Sequence, residues 1–298
     1  MMSNLRSAPG DRYLNELTRH GFLEAIRFSK LFDLLLPEKG TFLDIGANIG
    51  LYALIMAQLR PQARIQAFEP SPSCYPWLCQ NTAAWPAIET HMQAVSDREG
   101  SCELVSTPAF LAGSYVNTRP AATDLLTKDV PTQSSQASLS TATTRALDAL
   151  IKQWQPTFIK MDIEGHEYAT LAAASSLGSH DHILFVECNS WSLNWQGQCD
   201  LRRFLELLDG RYQHLVAIHQ YNTLDLKDKS NWDQFARLNI LEQRFYDIVC
   251  SNQSSLPDGL RRYSSQASKH DYLHGLHCSS RQVLGSLSRR LQGEAPGS

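Results

Sequence analysis

An α/β fold with a doubly wound, mostly parallel sheet is what this sequence predicts, and three stretches carry the prediction. Residues 41–54, TFLDIGANIGLYAL, pass from a short apolar run through a small-residue loop into an apolar, helix-like segment. Residues 64–70, RIQAFEP, form a second short apolar run, stopped by Glu69-Pro70. Residues 156–174, PTFIKMDIEGHEYATLAAA, repeat the passage from buried strand through polar turn to alanine-rich helix. Strands alternating with helices build sheets covered on both faces, and such sheets place ligands at the carboxyl ends of their strands.

The chain opens with apolar residues at Leu14, Leu17, Phe22, Ile26, Leu31 and Leu34–Leu36, a roughly helical period over 11–36. Pro37 and Gly40 stop that helix ahead of the first strand, and it is expected to cover an edge or face of the sheet. In the loop that follows, glycine lets backbone approach a ligand, and the helix start offers unpaired N–H groups. Asn48 is the non-glycine residue that best tolerates the left-handed backbone such a loop needs. Spacing separates the ligands. A dinucleotide loop requires Gly-x-Gly-x-x-Gly. Counted from Gly46, the next two glycine positions hold Asn48 and Leu51. The pattern acid-x-Gly-x-Gly-x-Gly of S-adenosylmethionine (SAM) loops is met at Asp44, Gly46 and Gly50, with Asn48 replacing the middle glycine. A carboxylate at Asp44 suits the cationic amino group and sulfonium of SAM and would repel a pyrophosphate.

A helix over 51–59 ends at Arg60-Pro61, and the second strand spans Arg64–Phe68. Glu69, 25 positions beyond Asp44, then stands at the carboxyl end of a parallel strand, where a carboxylate accepts from both hydroxyls of a ribose. A helix over 72–85 leads to a third strand near Glu89–Val95, and Ala94 and Val95 end it where an adenine ring would rest. Residues 101–118 alternate enough for a hairpin. Residues 119–144 are rich in Ser, Thr, Ala and Gln, bury little apolar surface and are expected to form a flexible inserted loop. A short helix, 145–153, precedes the fourth strand, Thr157–Met161. Lys160 lies within that strand and needs a carboxylate partner, Asp162 or Glu187. Asp162, Glu164 and His166 crowd the turn after it. The fifth strand, His182–Cys188, ends in Glu187-Cys188-Asn189. A helix over 200–209 stops at Gly210, Gln213–His219 is the sixth strand and Phe245–Cys250 the seventh. Between those two, Trp232, Phe235, Leu238 and Leu241 recur at helical spacing and are expected in the core. The tail from about Ser254 is weakly patterned and is expected to be partly ordered at best. It holds His270, His274 and His277-Cys278, which could share a helix face, but no second ligand group accompanies them.

Composition bounds the function. A chain of 298 residues with 43% hydrophobic content supports one large domain with appendages, or two small domains. The expected division is an N-terminal helical segment at 1–40, the principal domain at 41–252 and a C-terminal tail at 253–298. A net charge of −3 and the lack of a dense Lys/Arg block argue against nucleic acid or an anionic membrane as partner. No apolar stretch approaches the length of a membrane span, and the amino terminus lacks the order of a signal peptide. Seven cysteines without a Cys-x-x-Cys pair indicate neither a zinc site nor a disulfide framework, so a reducing cytoplasm is the expected compartment.

Together these residues resemble the FkbM family of SAM-dependent methyltransferases. The matching segments are FLDIGANIGLYAL at 42–54, AFEP at 67–70, AVSD at 94–97, RALDALI at 145–151, FIKMDIEGHEYATL at 158–171 and ILFVECN at 183–189. DIGANIG followed by IKMDIEGHE is far more specific than either alone. The resemblance implies a seven-stranded sheet of order 3-2-1-4-5-7-6 with the seventh strand antiparallel. It implies SAM as cofactor and methylation of a hydroxyl on a sugar, polyketide or related small-molecule or glycan acceptor. Carried over by position, Asp44, Gly46, Asn48, Gly50 and Glu69 would hold SAM, with Asp162 beside its methionine end. The stretches at 119–144 and after 250 depart from the family's pattern where acceptor contacts usually form, so which acceptor of that class is used is left open.

Methyl transfer to an alcohol needs alignment and a base. His166 is the first candidate base, because imidazole titrates near neutrality. Glu164 and Asp162 follow, since clustered carboxylates raise one another's pKa. Lys160 faces the same side as Asp162. As an alternative, Asp162, Glu187 and Asn189 at two adjacent strand ends could hold magnesium in the manner of catechol-type methyltransferases. A nicotinamide-dependent oxidoreductase on a similar sheet is the reading from another enzyme class, opposed by the missing glycines and by Asp44. A SAM-binding protein without catalysis is opposed by the joint presence of Lys160, Asp162, Glu164 and His166.

Overall fold

Two helices precede the sheet, α1 (Arg12–Arg19) and α2 (Leu23–Leu35). The carboxylate of Asp11 caps α1, accepting from the amides of Tyr13 and Leu14. Gly21 and Phe22 both take left-handed backbone, at φ 60° and 55°, and break the single helix expected over 11–36. The computed structural model describes residues 5–107, 110–118 and 138–253, together with Leu256, Leu260 and Tyr263. Residues 119–137 of the expected loop, and His270, His274, His277 and Cys278, lie outside the described residues.

In chain order there follow β1 (Thr41–Ile45), α3 (Leu51–Leu59), β2 (Arg64–Phe68), α4 (Tyr75–Thr82) and β3 (Ile88–His91). Next come β4 (Ala94–Ser96), β5 (Gly100–Thr107), β6 (Phe110–Val116) and β7 (Ser138–Ala146). The third group is α5 (Leu147–Trp154), β8 (Phe158–Met161), α6 (Glu167–Ala173), β9 (Ile183–Cys188), α7 (Ser190–Trp195) and α8 (Leu201–Asp209). The chain continues through β10 (His214–His219), β11 (Asn222–Asp225), α9 (Trp232–Ala236), a π-helical turn (Arg237–Leu241) and β12 (Tyr246–Ser251).

The main sheet has eight strands in the order β11-β10-β12-β9-β8-β1-β2-β3. Its central pairs are parallel, and β12 runs antiparallel to both β9 and β10. The seven expected strands hold their expected order, and the eighth, β11, is an antiparallel addition at the edge. Strand alternation fills a core on each face. Leu43, Ile45, Ile159, Met161, Leu184 and Val186 turn one way, against α5, α6 and α8. Phe42, Phe158, Ile183 and Phe185 turn the other way, against α2 and α3. There Phe32 meets Phe158 and Phe185 edge-on, with ring centroids 5.3 Å apart in both pairs. Leu17 on α1 and the helical residues Leu256, Leu260 and Tyr263 are buried in this second core. Residues from both ends of the chain thus pack on the same face of the sheet.

Four expectations are corrected. The single third strand over 89–95 is two strands. β3 stops at His91 in the main sheet, and β4 starts at Ala94 in a second sheet of order β4-β7-β5-β6. The parallel partner of β4 is β7, whose residues 138–144 were expected to belong to the flexible loop. Thr141, Thr143 and Thr144 favour extended backbone, and β5 supplies β7 with a full antiparallel ladder, so this end of the Ser/Thr-rich stretch is strand. The helix expected from Arg145 begins at Leu147 for the same reason. Leu241, expected in the core, is 76% exposed, because the π-helical turn takes it off the buried face that holds Phe235. Among the described residues no helix is long and apolar enough to cross a membrane.

Candidate active site

The carboxyl ends of β1, β2, β8 and β9 open into a cavity of about 400 Å³. The loop after β1 forms its floor. Gly46, Asn48 and Gly50 have φ of 76°, 51° and 94°, the left-handed region that glycine and asparagine enter at least cost. A Cβ on Gly46 would lie 1.8 Å from the carbonyl oxygen of Asp162, so only glycine lets the loop rest on the turn after β8. The amides of Gly46 and Ala47 donate to the carbonyl of Phe68 and tie the loop to the end of β2.

Glu69 follows Phe68 and is 6% exposed. One of its oxygens accepts from the amide of Asn48 and the other from that of Ser71, each at 2.9 Å. Burial lifts its carboxyl to about 7, against the lowering effect of those two amides. Ala94 and Val95 also line the cavity, although they reach it from β4 in the second sheet.

Asp44 is placed differently from expectation. It lies within β1, in register with Lys160 of β8, and is fully buried rather than part of the cavity wall. Its Oδ1 stands 3.6 Å from Lys160 Nζ, which is 3.4 Å from Asp162 Oδ2 and donates to the carbonyl of Gly46 at 2.9 Å. Burial opposes the lysine charge, but Asp162 and Asp44 outweigh it and hold the Lys160 pKa above its usual value. Asp44 therefore acts on the cavity through Lys160. The lysine's partners are Asp162, as expected, and Asp44, which was not.

The turn after β8 brings two of its three expected titratable groups into the cavity wall. Asp162 and Glu164 line it, with Glu164 at φ 53° and Gly165 at φ 100°. A Cβ on Gly165 would meet the carbonyl of Ser192 at 2.3 Å. The hydroxyl of Ser192 donates to Glu164 at 3.3 Å. Burial first, then the charges of Asp162 and Glu167, raise the Glu164 carboxyl to about 8. His166 does not join them. After Gly165 the chain enters α6, and the imidazole Nε2 lies 2.9 Å from Ser96 Oγ, whose hydroxyl donates to Asp97 at 2.8 Å. Burial pushes the His166 pKa below its ordinary value, and the ring braces β4 against α6 rather than facing the cavity.

Glu187 at the end of β9 also lines the wall. Burial pushes its carboxyl well up, and Asp162, Glu164 and Glu167 add to the shift. Asp162, Glu167 and Glu187 each offer an oxygen within 4.8 Å of the others, a set that could hold a cation. Asn189 is not part of it, because its side-chain oxygen caps α7 by accepting from the amides of Trp191 and Ser192.

Sequence reasoning missed the opposite wall. Tyr13, Glu24, Arg27 and Phe28 reach the cavity from α1 and α2. His219, Asp247 and Tyr263 reach it from β10, β12 and the C-terminal segment. Tyr263 is fixed there by donating to the carbonyl of Gln220 at 2.6 Å and stacking on Tyr221. Glu24 and Arg27 carried no distinguishing local signal, since Lys30 and Asp33 continue the same pattern of charges along α2.

The chain matches the family model "Methyltransferase FkbM domain" over residues 44–221, more than half its length. The methyltransferase sdnD of Sordaria araneosa is 49% identical over 53 residues, 18% of this chain and 20% of that protein. The AMB antimetabolite synthetase AmbE of Pseudomonas aeruginosa is 39% identical over 67 residues, 22% of this chain and 3% of that protein. The similarity thus spans a fifth or less of either relative. Among solved structures, a methyltransferase FkbM from Methylobacillus flagellatus KT aligns with TM-score 0.40 and 18% identity, over 63% of this chain and 44% of that one. Aeropyrum pernix fibrillarin, crystallised with natively bound SAM, aligns with TM-score 0.38 and 11% identity, over 75% of this chain and 73% of that one.

Proposed function

The chain belongs to the methyltransferase FkbM family, and on that premise we propose that it transfers the methyl group of SAM to a hydroxyl oxygen of a small-molecule or glycan acceptor, such as a sugar or polyketide. The observation that carries the proposal is Glu69, a buried carboxylate oriented by two amides in the wall of the cavity beside the glycine loop. Its free lone pairs suit the paired hydroxyls of a ribose. The other residues fit as well. Gly46 and Asn48 line the floor, and Gly50 lies off it and lets the loop pack on Leu78 and Thr82 of α4. Phe68, Ala94 and Val95 offer an apolar wall to adenine, and Asp162 offers a carboxylate to the amino group. When bound, SAM supplies a methyl group on a sulfonium centre.

Glu164 is the proposed base in place of His166. It lines the cavity, the hydroxyl of Ser192 holds it, and a carboxyl raised to about 8 is a stronger base than an ordinary glutamate once ionised. Lys160, pinned between Asp44 and Asp162, fixes the carboxylate that faces the cofactor's amino group. Tyr13 and Phe28 close the cavity and keep water from the acceptor oxygen. Residues 41–252 make up the catalytic domain in this account, and the segment before it serves as its cover. A net charge of −3 suits a small acceptor better than nucleic acid. The free state of the described cysteines, Cys74, Cys79, Cys102, Cys188, Cys199 and Cys250, accords with a reducing cytoplasm.

The test is transfer of label from methyl-labelled SAM to a panel of hydroxyl compounds, with Glu164→Gln alongside. Loss of turnover by about 100-fold with SAM affinity retained supports the assignment. Label appearing on nitrogen or carbon, or full turnover by the variant, contradicts it. Metal-assisted transfer is a second reading, favoured by the oxygens of Asp162, Glu167 and Glu187. A cation held there would polarise the acceptor hydroxyl directly. Turnover abolished by a chelator and restored by magnesium would select it.

A further inference from the structure

The cavity ends in two cationic or proton-binding side chains that nothing in the cofactor half uses. Arg27 is half-buried in the wall, and it makes no hydrogen bond or ion pair among the described residues. Glu24, one helical turn earlier, is beyond ion-pair distance and accepts instead from the hydroxyl of Tyr52 at 3.3 Å. A guanidinium in a cavity wall with five N–H donors and no protein acceptor is shaped for a ligand acceptor. His219 supplies a second group. Its Nδ1 is 2.9 Å from the carbonyl of Phe245, and a carbonyl can only accept, so Nδ1 carries the proton and Nε2 is left for the cavity. Burial, with Arg244 and Arg27 nearby, holds the imidazole below its ordinary pKa against the raising effect of that carbonyl. Burial also pushes the carboxyls of Glu24 and Asp247 up, and the charge of Arg27 draws Glu24 partly back.

The sheet sets the span. Met161 pairs with Val186, Glu187 with Asp247 and Asp247 with Ile218, so His219 lies three strands from Asp162, about 14 Å at about 4.8 Å per step. That suits a small acceptor reaching from the base at one end to a charged group at the other. We propose that Arg27 binds an anionic group, a carboxylate or a phosphate, at the far end of the methyl acceptor, and that His219 Nε2 takes up a proton from solvent as the anion enters, so that both side chains meet it as donors. The acceptor is then a hydroxyl compound of acidic class, such as a sugar acid or sugar phosphate. This rests on the methyltransferase reading and adds the acceptor's chemistry to it.

The test is a titration of isotopically labelled protein saturated with S-adenosylhomocysteine. Inorganic phosphate is added in one arm and acetate in the other, with the Arg27 and His219 side-chain resonances followed by NMR. The expected result is saturable binding in at least one arm that shifts both residues together. Arg27→Gln weakens it at least tenfold, and Arg27→Lys keeps the charge but loses part of the affinity. Both variants retain the melting temperature and the S-adenosylhomocysteine affinity of the parent. No saturable shift in either arm, or equal binding by Arg27→Gln, which marks an adventitious ion only, overturns the proposal. The titration is repeated without S-adenosylhomocysteine. Failure of that ligand to bind counts against the methyltransferase reading, and the anion arms still decide this subsite.

Discussion

The two ends of the cavity are built by opposite means. The proposed cofactor end comes from one continuous strand–loop–helix–strand unit, residues 41–70, braced by the turn after β8. Its charges are locked in place, with Lys160 held by Asp44, Asp162 and the carbonyl of Gly46, and Glu69 held by two amides. The proposed acceptor end is assembled from α1, α2, β10, β12 and Tyr263, segments far apart in the chain, and its Arg27 makes no hydrogen bond or ion pair among the described residues. A pocket for an invariant cofactor is prepaid in the fold, whereas a pocket for a varied acceptor leaves its groups for the ligand to satisfy.

The comparison breaks most decisively at Lys160. Lys160→Met leaves Asp44 buried without a counter-charge and should cost about 3–5 kcal/mol in a denaturant or thermal unfolding experiment. Arg27→Gln, at the other end, should leave stability unchanged. If the two variants lost stability equally, the two ends would not differ in kind. Next in size is Glu69→Ala, which removes a charged acceptor from the ribose side and should weaken S-adenosylhomocysteine binding by about 100-fold.

A pH series sharpens the same contrast. Glu69, Glu167 and Glu164 titrate at about 7, 7 and 8 in the fold, above the ordinary glutamate value of 4.5. Groups with raised folded pKa stabilise the fold below their unfolded pKa, and that contribution is lost as pH rises through the folded values. The ligand-free protein should therefore lose melting temperature between about pH 5 and 8. Glu164→Gln, which cannot ionise, should flatten the upper part of that slope. The smallest effect belongs to His166→Asn. Its ring braces Ser96, so turnover should fall by less than about tenfold, where removal of a true general base costs about 100-fold or more.

The same division explains what the sequence made legible. The positions of the seven strands along the chain followed from apolar runs punctuated by Pro61, Pro70 and the two polar turns, and their order in the sheet came from the family resemblance. The proposed cofactor end came from the spacing of Asp44, Gly46, Gly50 and Glu69. These are local signals, and local geometry obeys them. Spacing alone could not show that Asp44 turns toward β8 and meets Lys160, because that depends on register between strands more than 100 residues apart. Nor could it aim His166, whose direction is set by Gly165 at φ 100°. β7 was hidden because Ser and Thr look like loop until a partner strand such as β5 is known. The acceptor wall was least legible of all, since Arg27, His219 and Tyr263 meet only when the sheet is assembled.

The most direct measurement is calorimetric titration of the purified protein with S-adenosylhomocysteine and, separately, with NADH. The account predicts micromolar binding of the first, lost in Glu69→Ala, and none of the second. Binding of NADH, or of neither ligand, would contradict it and return the loop at 41–54 to an ordinary turn.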